Sequence, residues 1–96
     1  MTYDYLRDYA VDPRLMHYLI RDAEKAAAES TSTSDLLTVI RMLDLAKEKL
    51  APSTRYFNVS GEEVTFNRAD LIEGLENADR SVREAIGRLK HQSNSD

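Results

Sequence analysis

The sequence predicts a mainly α-helical fold: a small bundle of three to four helices with one β-hairpin between the second and third long helices. Three stretches repeat apolar residues every three or four positions, and each follows a residue typical of helix N-caps. One shorter stretch, 55–66, alternates its apolar residues as strands do. A chain of 96 residues suits one domain. We therefore expect a single helical domain over 1–92 and a frayed tail over 93–96.

The chain opens with "MTYDYLRDY", which holds three of its seven aromatic residues. A short helix over 2–10, capped by Thr2, would place Tyr5, Leu6 and Tyr9 on one face. This face could cover the open end of the core, which is the interpretation we favour. Alternatively, its tyrosines could anchor a partner, because tyrosine is enriched at binding hot spots. The candidate interface residues in this segment are Tyr3, Tyr5 and Tyr9.

The first long helix is predicted from Pro13 to about Ala28. Asp12 can accept a backbone hydrogen bond as N-cap, and proline fits the first helical position because its missing N–H needs no partner there. The apolar face of this helix consists of Leu15, Met16, Leu19, Ile20, Ala23, Ala26 and Ala27.

The second long helix is predicted to end near Leu50, before Pro52. It follows the segment "ESTSTS", whose serines and threonines disfavour helix interiors but serve well as caps. Either Ser32 or Ser34 is expected to be the N-cap. The apolar stripe consists of Leu36, Val39, Ile40, Leu43, Ala46 and Leu50.

The stretch "RYFNVSGEEVTF" (55–66) is predicted to form a β-hairpin. A turn over Ser-Gly-Glu-Glu would place Val59 opposite Val64 and Phe57 opposite Phe66. The apolar face of the hairpin would then pack on the helices, since an isolated hairpin is marginal in water. The alternative is a capping box of Ser60 and Glu63 that starts a helix there.

The third long helix is predicted to run from the cap Asn67, with Asp70 three residues on, to about Lys90. Its apolar repeat is the most regular in the chain and consists of Leu71, Leu75, Ala78, Val82, Ala85 and Leu89. A second row contains the small residues Gly74, Ala78, Ser81 and Ala85. Such a row allows another helix to approach closely, and the alanines of the first long helix are the expected neighbours.

The length of this repeat predicts an antiparallel homodimer through the third long helix. Its first half is acidic and its second half is basic, so antiparallel copies would place opposite charges side by side. The candidate seam residues are Leu71, Leu75, Val82 and Leu89. The alternative is a monomeric bundle in which the hairpin covers the surplus length of the repeat.

The basic half of the third long helix could instead bind phosphates. Its candidate residues are Arg80, Arg83, Arg88 and Lys90. Bases near a helix C-terminus also suit the helix dipole, which is sufficient by itself to explain them. Thirteen Lys and Arg against seventeen Asp and Glu give a net charge of −4, which argues against nonspecific binding to nucleic acid or anionic membranes.

No pattern in the sequence indicates catalysis, a metal or a cofactor. There is no cysteine, and both histidines, His17 and His91, are predicted to be solvent-exposed. Three carboxylates of the third long helix precede a base by four residues, which predicts surface ion pairs: Glu76–Arg80, Asp79–Arg83 and Glu84–Arg88. The absence of a membrane-length apolar run and of a signal-peptide pattern favours the cytoplasm.

By elimination, the predicted function is protein–protein interaction, as an adaptor, inhibitor or assembly subunit that is not an enzyme. The expected partners are another protein and a second copy of the chain, with nucleic acid and membrane not expected. The alternative is a nucleic-acid-associated regulator, resembling an antitoxin or repressor in its use of the basic helix end.

Overall fold

A computed structural model describes residues 3–51 and 55–93. These residues form four α-helices, which confirms the predicted helical class: α1 (Leu6–Ala10), α2 (Met16–Glu29), α3 (Thr33–Lys49) and α4 (Arg68–Ser93). A single 3₁₀ turn, Pro13–Leu15, precedes α2. The predicted cap Thr2 and all of the predicted tail except Ser93 lie outside the described residues. Of the helices in the described ranges, none has both the length and the apolar character that a membrane span requires.

The predicted caps start the long helices. The side chain of Ser32 accepts a hydrogen bond from the backbone N–H of Asp35 at 3.2 Å. Asn67 does the same for Asp70 at 3.1 Å. Asp12 accepts from the N–H of Arg14 at 3.0 Å, but the turn that it caps is 3₁₀, and the α-helical geometry begins only at Met16. Local capping chemistry therefore defines where α3 and α4 begin, whereas α2 begins three residues after the predicted Pro13 and has no side-chain cap of its own.

Helix α4 packs across both α2 and α3 and runs parallel to α2. Near its start, Gly74 lies against Ile20, and near its end, Arg88 donates to the backbone carbonyl of Ala27. Helix α3 is antiparallel to α4, since it places Lys47 near Asp79 in the middle of α4 and its own start near the end of α4. Helix α1 contacts α2 and α3. The core is wholly apolar and includes Leu6, Ala10, Met16, Leu19, Ala23, Leu36, Val39, Leu43, Leu75, Ala78 and Val82.

The row of small residues on α4 faces α2, as predicted, but the close neighbour at Gly74 is Ile20 and not one of the predicted alanines. A Cβ atom added at Gly74 would lie only 2.7 Å from Cδ1 of Ile20. Ala78 and Ala85 on the same row are buried. Glycine and alanine at these positions therefore allow the backbones of α2 and α4 to approach each other.

The predicted β-hairpin is wrong. No strand forms in the described residues, and 55–66 contains one isolated antiparallel bridge, between Phe57 and Glu63. The N–H of Asn58 donates to the carbonyl of Glu62 at 2.9 Å, and that of Val64 to the carbonyl of Tyr56 at 2.8 Å. The alternative of a helix starting at Ser60 does not occur either, because α4 begins at Arg68.

The turn explains why the predicted register fails. Gly61 adopts a left-handed backbone conformation (φ +84°), and its N–H donates to the carbonyl of Asn58 at 3.0 Å. The Asn58 side chain also accepts from the N–H of Glu62 at 3.0 Å. These bonds close the turn early, so Val59 lies inside the turn and pairs with nothing. Val59 is fully exposed and Phe57 is 59% exposed.

Candidate functional site

Four tyrosines form a continuous row of rings on one side of the bundle. Tyr3, Tyr5 and Tyr9 come from the N-terminal segment and Tyr18 comes from α2, and we call these four residues the tyrosine surface. The ring centroids are separated by 6.4 Å between Tyr3 and Tyr5, 5.9 Å between Tyr5 and Tyr9, and 5.5 Å between Tyr9 and Tyr18. The Tyr5 and Tyr9 rings meet edge to face, a favourable arrangement for aromatic pairs.

Helix α1 positions this surface by docking through other residues. Leu6 and Ala10 lie four residues apart, share one face of the helix and are completely buried. Tyr5 is 47% exposed, whereas Tyr9 is half-buried at the edge of the core. Covering the core is thus chiefly the role of Leu6 and Ala10, and much of the Tyr5 side chain remains accessible.

A polar network fixes the rings in place. The Tyr5 hydroxyl donates to Oδ2 of Asp22 at 2.9 Å. Nε of Arg21 donates to Oδ1 of the same carboxylate at 3.1 Å. The Arg21 guanidinium carbon also lies 5.0 Å from the centroid of the Tyr18 ring, within cation–π range. Asp22 and Arg21 therefore link α1 to α2 across the tyrosine surface.

Burial and nearby carboxylates raise the pKa of two residues of the tyrosine surface, Tyr3 and Tyr5. Partial burial, the hydrogen bond to Asp22 and the charge of Asp22 raise the pKa of Tyr5 from 10.0 to about 12. Burial and the nearby carboxylates of Asp35 and Glu29 also raise the pKa of Tyr3. A depression of about 370 Å³ lies beside these two rings and is lined by Tyr3, Tyr5, Asp22, Lys25, Ala26 and Glu29. The surface thus offers neutral hydroxyls and aromatic rings beside charged side chains.

Sequence reasoning missed three members of this site: Tyr18, Arg21 and Asp22. Their spacing was an available signal, because residues three and four positions apart share a helix face and Tyr18 precedes Arg21 and Asp22 by those distances. His17 stacks beside Tyr18, with ring centroids 4.0 Å apart. Both His17 and His91 are exposed, as predicted.

The candidate seam of α4 is mostly used within one chain. Leu75 and Val82 are completely buried in the core that α4 forms with α2 and α3. Leu71 and Leu89 are half-buried at its margins. The surplus length of the repeat is not covered by a hairpin, since none forms. A homodimer stays a prediction, but Leu75 and Val82 have no exposed surface to offer it.

The four candidate phosphate-binding residues do not form one stripe. Arg88 reaches the α2 side, where it donates to the carbonyl of Ala27 at 3.3 Å. Arg83 and Lys90 line a depression on the α3 side, and Arg80 shares a neighbouring depression with Arg83, Lys47 and three carboxylates, so of the four candidates Arg88 alone lies apart. Nε of Arg83 donates to Oδ2 of Asp79 at 2.9 Å, which is the one predicted α4 ion pair that forms between the described residues.

The described ranges contain no group of three or more histidines, aspartates or glutamates placed to hold a metal ion. Comparison of the chain with protein-family models, with curated proteins and with solved structures gives no match. The function must therefore be inferred from the residues and geometry of this chain.

Proposed function

We propose that this chain is a protein–protein interaction module that binds a partner protein through the tyrosine surface and does not act as an enzyme. The observation that supports the proposal is the division of roles within the N-terminal segment. Leu6 and Ala10 supply the fully buried contacts and Tyr3 and Tyr9 pack at the edge of the core, while the Tyr5 side chain extends this aromatic row into solvent.

Tyrosine suits such a surface for energetic reasons. A tyrosine side chain offers a large contact area and a hydroxyl while losing little rotamer freedom on binding. The hydrogen bond to Asp22 already orders the Tyr5 side chain, so binding a partner would cost less conformational entropy. The exposed charges of Arg21, Lys25 and Glu29 surround the rings as a polar rim.

Affinity capture with the full chain tests this proposal. The immobilised wild type and Tyr5→Ala are compared, with Phe57→Ala as a matched control because Phe57 is also an exposed aromatic residue. A protein retained by the wild type is then purified, and its Kd for each variant is measured by calorimetry. We expect Tyr5→Ala to weaken binding by roughly thirtyfold, about 2 kcal/mol, as hot-spot truncations do.

Circular dichroism and melting curves must show that Tyr5→Ala is folded. An unchanged Kd in folded Tyr5→Ala and Tyr9→Ala would contradict the proposal. So would a loss of binding confined to the Phe57→Ala control.

A titration with duplex DNA addresses the alternative function of a nucleic-acid-associated regulator. We expect no binding at physiological salt, because the basic residues of α4 are spread over two sides of the helix and the net charge is −4. Micromolar, salt-sensitive binding that is lost in Arg80→Gln and Lys90→Gln would replace the proposed function with the alternative.

A further inference from the structure

The turn after α3 presents an apolar tip to solvent. Phe57 and Val59 are the two most exposed large apolar side chains among the described residues, and we call them the apolar tip. Glu62 and Glu63 follow directly and are also exposed. The tip therefore combines accessible apolar area with negative charge.

The apolar tip is held by specific contacts. The hydroxyl of Tyr56, the residue before Phe57, donates to the carbonyl of Lys49 at 2.7 Å, and its ring packs edge to face on Phe66 with centroids 6.1 Å apart. Asn58 bonds both the backbone and the side chain of Glu62. These contacts present Phe57 and Val59 in one arrangement, which reduces the ordering cost of docking them.

A groove of complementary character lies at the other end of the molecule. It runs between the start of α3 and the end of α4, has a volume of about 320 Å³, and is called here the α3–α4 groove. Its lining includes two cations and no carboxylate and consists of Leu37, Ile40, Arg83, Ile86, Gly87 and Lys90. Leu37 is 47% exposed, and a Cβ added at Gly87 would meet no atom within 4 Å, so both walls are open to a ligand.

We propose that the apolar tip of a second copy of this chain occupies the α3–α4 groove, and that the contact is reciprocal. Phe57 and Val59 would cover Leu37 and the open strip at Gly87. Glu62 would lie near Lys90, which forms no ion pair with any other described residue, whereas Glu63 already pairs with Arg55 at 3.6 Å.

The positions of tip and groove favour a closed dimer. The tip lies beyond the first turn of α4 and the groove lies near its last turns, about 20 residues or roughly 30 Å along the helix. A two-fold axis perpendicular to α4 exchanges the two ends of the helix, so it places each tip at the same position along the helix as the partner's groove. This dimer is antiparallel, as predicted from the charge pattern, but it uses neither the buried seam of α4 nor the tyrosine surface.

Sedimentation equilibrium of the isolated full chain, over micromolar to submillimolar concentrations, tests the proposal. We expect the wild type to dimerise and folded Val59→Asp to be monomeric. The charge reversals Glu62→Lys and Lys90→Glu should each raise the dimer Kd by about tenfold or more, and the double variant should recover most of that loss. Tyr5→Ala is the control, and its dimer should match that of the wild type.

Three outcomes would overturn the proposal. The first is a wild type that stays monomeric over the whole range. The second is a dimer that is unaffected by Val59→Asp and Lys90→Glu. The third is growth beyond the dimer with rising concentration, because that would mean that the contact does not close reciprocally. Since Tyr5→Ala is measured in the same series, these results are independent of whether the tyrosine surface binds a partner.

Discussion

The N-terminal segment that ends in α1 and the turn containing the apolar tip are both short and aromatic-rich and lie beside longer helices, yet they are used in opposite ways. Helix α1 buries Leu6 and Ala10 completely between α2 and α3. The turn leaves Phe57 and Val59 in solvent. The difference shows that apolar content alone does not decide which short segment joins a core.

Backbone geometry accounts for the difference. One turn of helix places residues four positions apart on the same side, so Leu6 and Ala10 enter the groove between α2 and α3 together. The residues around the turn instead donate hydrogen bonds to carbonyls at the C-terminal end of α3. The Tyr56 hydroxyl binds the carbonyl of Lys49, and the Arg68 guanidinium binds the carbonyls of Leu50 and Ala51. These donors satisfy carbonyls that the helix end leaves without intrahelical partners.

Truncating one side chain in each segment tests this contrast most strongly. Leu6→Ala should lower the free energy of unfolding by about 2–5 kcal/mol, because it removes a fully buried side chain and leaves a cavity. Phe57→Ala should change it by at most about 0.5 kcal/mol, as is usual for exposed sites. Urea denaturation measures both. A loss of more than about 1 kcal/mol in Phe57→Ala would show that the turn contributes to the core after all.

Substitution of Gly61 tests whether the turn is a defined structure. Gly61→Ala should destabilise the chain by about 1–2 kcal/mol, because a residue with a Cβ disfavours the left-handed conformation found there. Gly61→Asn is the matched control and should lose less, since asparagine tolerates that conformation better. Equal stability of Ala, Asn and wild type in urea denaturation would mean that the turn is not held as described.

Removing a single hydroxyl from each segment compares how they are anchored. Tyr56→Phe should lower the free energy of unfolding by about 1 kcal/mol, because the carbonyl of Lys49 loses its donor. Tyr5→Phe should have a smaller effect, since Asp22 keeps its bond from Arg21 and Tyr5 is 47% exposed. Thermal melting of both variants shows which substitution lowers the stability more. The reverse order would indicate that the hydrogen bond from Tyr5 to Asp22 contributes more to stability than the bond from Tyr56 to the carbonyl of Lys49.

The raised pKa of Tyr5 fixes the sign of the pH dependence of stability at alkaline pH. The folded state holds the Tyr5 proton more tightly than the unfolded chain does, because its pKa is raised from 10.0 to about 12. This contribution to stability is complete below pH 10 and is lost as the pH rises towards 12. Burial raises the pKa of Tyr56 as well, although the charge of Arg68 opposes it.

Absorbance titration of tyrosinate in the wild type, Tyr5→Phe and Tyr56→Phe assigns these groups. The latest-titrating tyrosine should disappear in Tyr5→Phe. If it persists there, the hydrogen bond from Tyr5 to Asp22 does not govern that proton.

The sequence by itself determined the long helices and the starts of α3 and α4, while α2 begins at Met16 after a 3₁₀ turn at the predicted start, Pro13. The side chains of Ser32 and Asn67 cap α3 and α4 by accepting hydrogen bonds from backbone N–H groups three residues later. Such contacts involve only neighbouring residues, so the sequence alone can predict them. The repeating apolar faces of α2, α3 and α4 were predictable for the same reason, because helix periodicity is a local property. Three of the four rings in the tyrosine surface, those of Tyr3, Tyr5 and Tyr9, were among the candidates predicted from the sequence.

Only the tertiary structure decided which apolar surfaces were covered. The regular apolar repeat of α4 fits a dimer seam and the core of a single chain equally well. In the structure, packing against α2 and α3 buries Leu75 and Val82 in the core of the single chain. The tyrosine surface needed Tyr18 from another helix, so no single stretch contained it. The register of 55–66 depended on the left-handed Gly61 and on anchoring to the end of α3. Each of these outcomes rests on contacts between distant parts of the chain, which periodicity and local propensity do not encode.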